Sequence, residues 1–161
     1  MIGNDIIDLA LAQQESNWRR KGFLEKLFTQ EEQLLIAKAK NQEIMVWNLW
    51  SRKEAAYKIY NRETGIRGYI PKQLACFYEN ETKGTVCCNE HVYHTQTTIT
   101  NDFIYTIATT EPRYFSQIQK INPDTETRKT NGIPYLVDAI TLISKPVSIS
   151  HHGRFWEVIT L

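Results

Sequence analysis

Three groups of polar residues in this 161-residue chain have types and spacings that could support catalysis. They are Asp5 with Asp8, Lys53-Glu54 with Lys58, and the run Ser150-His151-His152-Gly153-Arg154. An Asp and a Glu from separate elements make a hard, oxygen-only site that suits Mg²⁺, with water or a substrate phosphate completing the coordination. Lysines beside such a site neutralise further phosphate charge. The combination predicts phosphoryl or pyrophosphate chemistry, which depends mainly on positioning and charge neutralisation.

The second group lies in a stretch that is predicted to be helical. Residues 43–62 contain no Gly or Pro and are rich in helix-forming residues. On a helical projection Lys53 falls near the centre of an apolar stripe, and Glu54 falls on its border, one turn before Lys58. Spacing alone leaves two interpretations open. Either these charges form a functional site, or Lys53 snorkels over the core and Glu54–Lys58 is a surface ion pair.

The first group lies in a predicted strand over residues 2–9. Alternation places Asp5 with Ile7 on one face and Asp8 with Ile6 on the other, so both carboxylates share a face with aliphatic side chains. Asp is a poor strand former. This segment fits equally well an edge strand with solvated acids and a strand that holds an Asp inside for a metal or a basic partner.

The remaining patterns predict helices before Gly68 and strands after it. Thr29 and Glu32 form a capping-box pattern at the start of one helix. Residues 111–121 are predicted to form a short helix, residues 122–130 a loop, and residues 135–143 are ambiguous. The strand predictions cover residues 73–78, 85–86, 91–100, 103–109, 147–150 and 155–161. We therefore predict one α+β domain over residues 1–161, with an antiparallel sheet packed against the long helix.

Composition and charge exclude several classes of protein. The formal net charge of +1 gives no electrostatic reason to expect nucleic acid or a membrane surface as the main partner. No apolar run approaches the length of a membrane helix, and the acidic N-terminus predicts no signal peptide. Three cysteines, two of them adjacent, make no disulfide framework and favour a reducing cytoplasm. A zinc site is the less favoured interpretation of the cluster Cys87, Cys88, His91 and His94 because its spacing is not a standard one.

Four segments of the chain resemble motifs of the 4′-phosphopantetheinyl transferases. Residues 2–6 resemble the opening I-G-x-D-I, and residues 50–58 resemble the signature W-x-x-K-E-A-x-x-K. Residues 148–155 are similar to the S-H-S-G-R-W segment, with a histidine in place of the second serine. Residues 131–135 are similar to the G-K-P-Y turn, with an isoleucine in place of the lysine. The resemblance spans essentially the whole chain and implies the α+β fold of that superfamily.

The resemblance also implies an activity and roles for particular residues. Members transfer the phosphopantetheine arm of coenzyme A to a serine of an apo acyl or peptidyl carrier protein and release 3′,5′-ADP. Asp5 and Glu54 would hold Mg²⁺, and Glu54 could take the serine proton. Lys58 would bind phosphate. His151 and Arg154 would contact the nucleotide end of coenzyme A.

Lys53 matches a position in the motif, and the sequence leaves two roles open for it. It could contact the coenzyme, or it could pack in the core behind the site. The departures at Ile133 and His152 leave a further alternative open, in which the chain is a non-catalytic module that binds coenzyme A or a carrier protein. A Mg²⁺-dependent enzyme acting on another pyrophosphate would need the same acids and lysines.

The order of the motifs predicts an assembly. The S-H segment comes last, as in the small holo-acyl-carrier-protein synthases, which are homotrimers with a site at each subunit boundary. The chain is predicted to have a single small sheet, which offers only one wall of the cleft, so a second copy must supply the other wall. The resemblance therefore implies a homo-oligomer, with a trimer favoured. His151 and Arg154 would then come from the neighbouring chain, unless residues 111–130 fold over the cleft and allow a monomer to work.

Overall fold

The computed structural model describes residues 1–137 and 144–161, so part of the ambiguous segment 135–143 lies outside the described residues. The chain begins with strand β1 (Ile2–Asp8) and continues into the helical region. The helices are α1 (Leu9–Glu15), α2 (Phe23–Leu27), α3 (Gln30–Lys38) and α4 (Gln42–Thr64). Sequence analysis predicted this succession of one strand and several helices.

The ends of the helices follow their local sequence. At α3 the backbone N–H of Glu32 donates to Thr29 Oγ1, and the backbone N–H of Thr29 donates to Glu32 Oε2, so the predicted capping box is confirmed. The Asn41 side chain caps α4, and Gly65 ends it in the left-handed conformation with φ of 70°.

The first sheet is antiparallel and forms the support for α4. Its strand order is β1-β5-β4-β3-β2. The strands after β1 are β2 (Ala75–Tyr78), β3 (Lys83–Cys88), β4 (His91–Ile99) and β5 (Phe103–Thr109). α4 packs across this sheet and buries Val46, Leu49, Ala56 and Ile59 almost completely. The predicted α+β fold, with an antiparallel sheet against a long helix, is confirmed.

Gly3 allows β1 to approach α4 closely. A Cβ atom at this position would clash with the carbonyl oxygen of Ala55, which belongs to the backbone of α4 and cannot move aside easily. Only glycine fits here. The close approach also brings the next part of β1, which carries Asp5, against the part of α4 that carries Glu54.

A second antiparallel sheet corrects the prediction of a single one. Its strand order is β6-β10-β9-β8-β7. The strands are β6 (Gln119–Ile121), β7 (Arg128–Thr130), β8 (Ile133–Val137), β9 (Ser144–His152) and β10 (Phe155–Thr160). The predicted helix at residues 111–121 is a 3-10 helix, Pro112–Gln117, followed by β6, and the predicted loop at residues 122–130 ends in β7. β9 lies beside the edge of β1 that β5 leaves free, so the two sheets meet next to Asp5.

Candidate active site

Asp5 and Glu54 come together beside Lys58. Each is half-buried, and the negative charge of Asp5 is one cause of a raised pKa at Glu54. The cation of Lys58 acts in the opposite direction on the pKa of both carboxyls. A strand and a helix thus contribute one carboxylate each to a single electrostatic cluster.

Of the two carboxylates of the cluster, Glu54 receives less stabilisation from the protein than Asp5 does. Burial first, and then the Asp5 charge, raise its pKa to about 7. Within residues 1–137 and 144–161, no hydrogen bond or ion pair is found for its carboxylate oxygens. Burial also raises the pKa of Asp5, although Ser150 Oγ donates to Asp5 Oδ1 at 3.1 Å and lowers it. Two neighbouring half-buried carboxylates, one of which raises the pKa of the other, favour a cation between them.

Lys58 connects the cluster to both sheets. Its Nζ donates to the carbonyl oxygen of Asn4 at 2.6 Å and to that of Ile149 at 3.0 Å. Burial lowers the pKa of Lys58, while the charges of Asp5 and Glu54 oppose that shift. An exposed Glu54–Lys58 ion pair, one of the two interpretations from spacing, is therefore not what the structure contains. A lysine has three N–H donors, so one remains beyond the two backbone bonds.

A basic pocket of about 370 Å³ opens next to this cluster. Its lining includes Lys58, Arg62, Lys129, His151 and the turn formed by Gly132, Ile133 and Pro134. The turn is the segment that resembles G-K-P-Y, and Asn131 and Gly132 both adopt positive φ there. The predicted coenzyme residues Lys58 and His151 are thus brought to one pocket of one chain.

Lys129 differs from Lys58 and Arg62, the other lysine and arginine of this pocket, in its contacts with the protein. Arg62 donates to the carbonyl oxygens of Ile2 and Val147, much as Lys58 does to its own pair of carbonyls. Lys129 is exposed, and the part of the chain that the structure describes supplies no acceptor for its Nζ. Sequence analysis missed Lys129 because it lies in a polar segment without any motif.

Lys53 is buried in the core and fully bonded. Its Nζ forms an ion pair with Glu32 Oε2 at 2.7 Å and donates to the carbonyl oxygens of Leu27 and Pro71. The exposed fractions of the Lys53 and Glu32 side chains are 1% and 0%. Of the two roles that the sequence left open for Lys53, this geometry favours packing behind the site over contact with the coenzyme.

Asp8 and Arg154 form a second ion pair away from the Asp5–Glu54 cluster. Arg154 Nε donates to Asp8 Oδ2 at 2.8 Å and its Nη2 to Asp8 Oδ1 at 2.9 Å. The guanidinium holds the pKa of Asp8 well below its usual range. Gly153, at φ of 54°, makes room for this carboxylate. The described lining of the basic pocket includes His151 but not Arg154, whose contact with the coenzyme stays a prediction.

Tyr69 is a neighbour of Glu54 that the sequence did not single out. Its ring is largely exposed, and the Glu54 charge is a cause, after burial, of the raised pKa of its hydroxyl. Lys26 lies 5.3 Å from the ring centroid. An aromatic ring with a lysine beside it therefore also lies near Glu54.

Two further observations concern the described residues. Residues 1–137 and 144–161 contain no group of three or more His, Cys, Asp and Glu side chains that could hold a metal. No helix in the same residues combines the length and hydropathy needed to cross a bilayer.

A family model decides what kind of protein contains this site. The model of the 4′-phosphopantetheinyl transferase superfamily matches residues 1–108. The chain belongs to this superfamily. The family and the enzyme class predicted from the motifs are therefore confirmed. The match covers β1 and α4, and thus both carboxylates of the cluster, whereas the second sheet lies beyond it.

Solved structures agree with the transferase fold. The chain is similar to the holo-[acyl-carrier-protein] synthase from Neisseria meningitidis, with 18% identity, a TM-score of 0.55 and coverage of 66% of this chain and 94% of that chain. The Helicobacter pylori synthase, in complex with coenzyme A, has 14% identity, a TM-score of 0.53 and coverage of 68% and 98%. The Bacillus anthracis synthase, in complex with CoA (3′,5′-ADP), has 20% identity, a TM-score of 0.51 and coverage of 66% and 91%. No curated protein matches the sequence.

Proposed function

We propose that this transferase moves the 4′-phosphopantetheine arm of coenzyme A to a serine of an apo acyl or peptidyl carrier protein, with Mg²⁺, and releases 3′,5′-ADP. The observation that carries the proposal is the convergence of Asp5 and Glu54 beside Lys58, which also lines a basic pocket. The family membership supports the same reaction.

The residues present fit a magnesium ion. Asp5 and Glu54 supply hard oxygen donors, and burial, the first cause of the raised pKa of each, disfavours their charged forms unless a cation is bound. Two carboxylates leave most coordination positions to water and to substrate phosphate, as Mg²⁺ prefers. When bound, the ion would neutralise charge on the pyrophosphate and stabilise the leaving group.

The chain's own residues would position and deprotonate the reactants. Glu54 would accept the serine proton directly or through a water molecule. The serine oxygen forms a bond to the phosphorus on the pantetheine side, and the pyrophosphate P–O bond breaks, with its electrons leaving on 3′,5′-ADP. Lys58 places its charge between the carboxylates and the basic pocket, where it would bind phosphate.

The basic pocket would hold the nucleotide end of coenzyme A. His151 and Lys129 line it and are exposed, so both can reach an anionic ligand. Lys129 lies across the β7–β8 pair from Pro134, next to the turn in which Ile133 replaces the lysine of the motif. A cation from β7 can therefore take the place of the one that the turn lacks.

Lys129→Ala should weaken coenzyme A binding about fivefold at low salt, the equivalent of about 1 kcal/mol for a partly exposed charge contact. The loss should shrink at high salt because the contact is screened. Isothermal titration at two salt concentrations measures both effects. Arg128→Ala, which removes the neighbouring exposed cation outside the pocket, is the matched control. Equal losses in the two variants would reduce Lys129 to a general contribution of surface charge.

In this proposal residues 1–161 form a single transferase domain, as the sequence predicted. Asp5 lies within the family match and His151 lies in the second sheet, yet Lys58 connects both regions of the same chain through Asn4 and Ile149. We therefore propose that one chain supplies both walls of the cleft, including the one that the motif order assigned to a neighbouring subunit. The homotrimer stays a prediction, to be measured by light scattering, as does the cytoplasmic location.

A non-catalytic binding module is the alternative that the test must exclude. His152 was one of the two departures that suggested it. Its Nδ1 accepts the backbone N–H of Asp8 at 2.9 Å, and the described lining of the basic pocket does not include it. That departure therefore affects the contact between the sheets and leaves the pocket unchanged.

Intact-mass spectrometry after incubation with coenzyme A, Mg²⁺ and a panel of apo carrier proteins tests the function. We expect one carrier protein to gain one phosphopantetheine group, and a carrier whose modified serine is replaced by alanine to gain none. Coenzyme A binding without a mass gain on any carrier protein would favour the binding module. Consumption of another pyrophosphate alone would favour a different Mg²⁺-dependent enzyme.

A further inference from the structure

Side chains, in place of a backbone ladder, join β9 to β1. The backbone N–H groups of Asn4, Ile6 and Asp8 donate in turn to Ser148 Oγ, Ser150 Oγ and His152 Nδ1, at 3.0, 3.0 and 2.9 Å. These alternate residues of β9 satisfy alternate donors of β1, which would otherwise be unpaired at a buried strand edge. We call this contact the inter-sheet seam, formed by Ser148, Ser150 and His152.

Ser148 and Ser150 make matching pairs of bonds with different second partners. The Ser148 hydroxyl donates to Asn4 Oδ1 at 2.7 Å, and the Ser150 hydroxyl donates to Asp5 Oδ1 at 3.1 Å. Both side chains are buried. A hydroxyl has a single proton, so each serine is fixed as an acceptor from the backbone and a donor to the side chain. Only Ser150 directs its proton to a carboxylate of the active site.

We propose that Ser150 is a positioning residue that orients the Asp5 carboxylate towards the cation shared with Glu54. This role rests on the metal site of the proposed function. The hydroxyl donates to Oδ1 of Asp5 from the side of β9, in the way that a hydrogen-bond partner fixes the orientation of a metal-ligating carboxylate. Ser150 also lies between Ile149, whose carbonyl accepts from Lys58, and His151, which lines the basic pocket. One short segment of β9 thus connects the coenzyme pocket to the metal ligands.

Manganese binding by electron paramagnetic resonance tests this role without relying on activity. Ser150→Ala should weaken Mn²⁺ binding about tenfold or more, because residues that orient a metal ligand typically contribute about 10- to 100-fold. Ser148→Ala, the matched control, loses the same seam bond and should leave Mn²⁺ affinity within about twofold. Ser150→Thr retains the hydroxyl and should restore most of the affinity. The Mg²⁺ concentration for half-maximal transfer should follow the same order.

Equal weakening in Ser148→Ala and Ser150→Ala would overturn the proposal, since a loss of the seam alone would then explain both. Unchanged Mn²⁺ affinity in Ser150→Ala would also overturn it, as would a wild-type chain that binds no Mn²⁺ with or without coenzyme A. Failure of the proposed function has a different signature. In that case no carrier protein gains mass, while the difference between the Ser148 and Ser150 variants in Mn²⁺ affinity persists.

Discussion

Glu54→Gln should reduce phosphopantetheine transfer more than about 100-fold. The variant removes a carboxylate that would bind the cation directly, and even residues that only orient such a ligand contribute about 10- to 100-fold. Glutamine also cannot accept the serine proton. Transfer rates at saturating Mg²⁺ and coenzyme A measure the loss. Glu43→Gln, which changes another acid of α4 near its N-terminal end, is the control and should retain the wild-type rate.

The same substitution should change how stability depends on pH. The pKa of Glu54 is about 7 in the folded chain, against 4.5 for an ordinary glutamate, so between these pH values the folded state binds more protons than the unfolded state. The free energy of unfolding of the metal-free protein should therefore fall as pH rises through this window, by up to about 3 kcal/mol. Glu54→Gln lacks this loss. It should be more stable than the wild type at about pH 8 and similar to it at about pH 4.

Adding Mg²⁺ should affect the stability of the wild type and of Glu54→Gln differently. Mg²⁺ should restore the stability of the wild type at high pH because it binds only the folded state, and it should have little effect on Glu54→Gln. Urea unfolding with and without Mg²⁺ measures both variants. A wild-type stability that does not change between pH 4.5 and 7 would contradict the raised pKa. Equal stabilisation of both variants by Mg²⁺ would remove Glu54 from the metal site.

Glu32→Ala should destabilise the fold by about 3–5 kcal/mol, because it leaves the Lys53 cation buried without its counter-charge. Glu32 also accepts the backbone N–H of Thr29 at the start of α3 and that of Cys76 on β2, both at 2.7 Å. One side chain thus joins α3, α4 and the first sheet. Urea unfolding measures the loss, which is a large part of the stability of about 5–15 kcal/mol that is usual for a domain.

Glu31→Ala is the matched control for this prediction. Glu31 lies in the same first turn of α3 but is exposed, so its loss should change stability by less than about 0.5 kcal/mol. Equal effects of the two variants would show that the buried ion pair contributes little. Lys53→Met then separates the two roles of Lys53. A folded variant with wild-type affinity for coenzyme A would support a packing role for Lys53. A large loss of affinity would instead support the predicted contact of Lys53 with the coenzyme.

Local patterns predicted the parts of the fold that depend on neighbouring residues. The capping box at Thr29 and Glu32 is an interaction between residues three apart, and the composition of residues 43–62 specified α4 without reference to the remaining chain. The resemblance to I-G-x-D-I has a physical basis at Gly3, where close approach to Ala55 excludes any side chain. The meeting of Asp5 and Glu54 follows from that approach.

The second sheet could not be predicted because its outer strands have no hydrophobic pattern. β6 and β7 contain three residues each, and those of β7 are all exposed. Such strands form because the neighbouring strands β10 and β8 pair with them, and these contacts lie outside the local window that propensity describes. The prediction of a site shared between subunits assumed a single sheet for this reason, and it stays a prediction.

The partners of Lys53 and Lys58 also could not be predicted from neighbouring residues in the sequence. Lys53 pairs with a glutamate from another helix, and Lys58 binds backbone carbonyls of β1 and β9, 54 and 91 residues away in the sequence. Helical spacing placed Lys53 on a buried stripe and required a partner, but it could not identify Glu32. Only tertiary structure distinguishes a lysine that is fixed in the core from one that faces the substrate.

The most direct test of the proposed transfer is the intact mass of one apo carrier protein after incubation with the wild-type chain and coenzyme A, in parallel with Mg²⁺ and with EDTA. We expect the gain of one phosphopantetheine group with Mg²⁺ and no gain with EDTA. A gain of equal rate and extent in EDTA would contradict a metal site at Asp5 and Glu54. No gain on any carrier protein, with coenzyme A bound and Mg²⁺ present, would contradict the transfer itself.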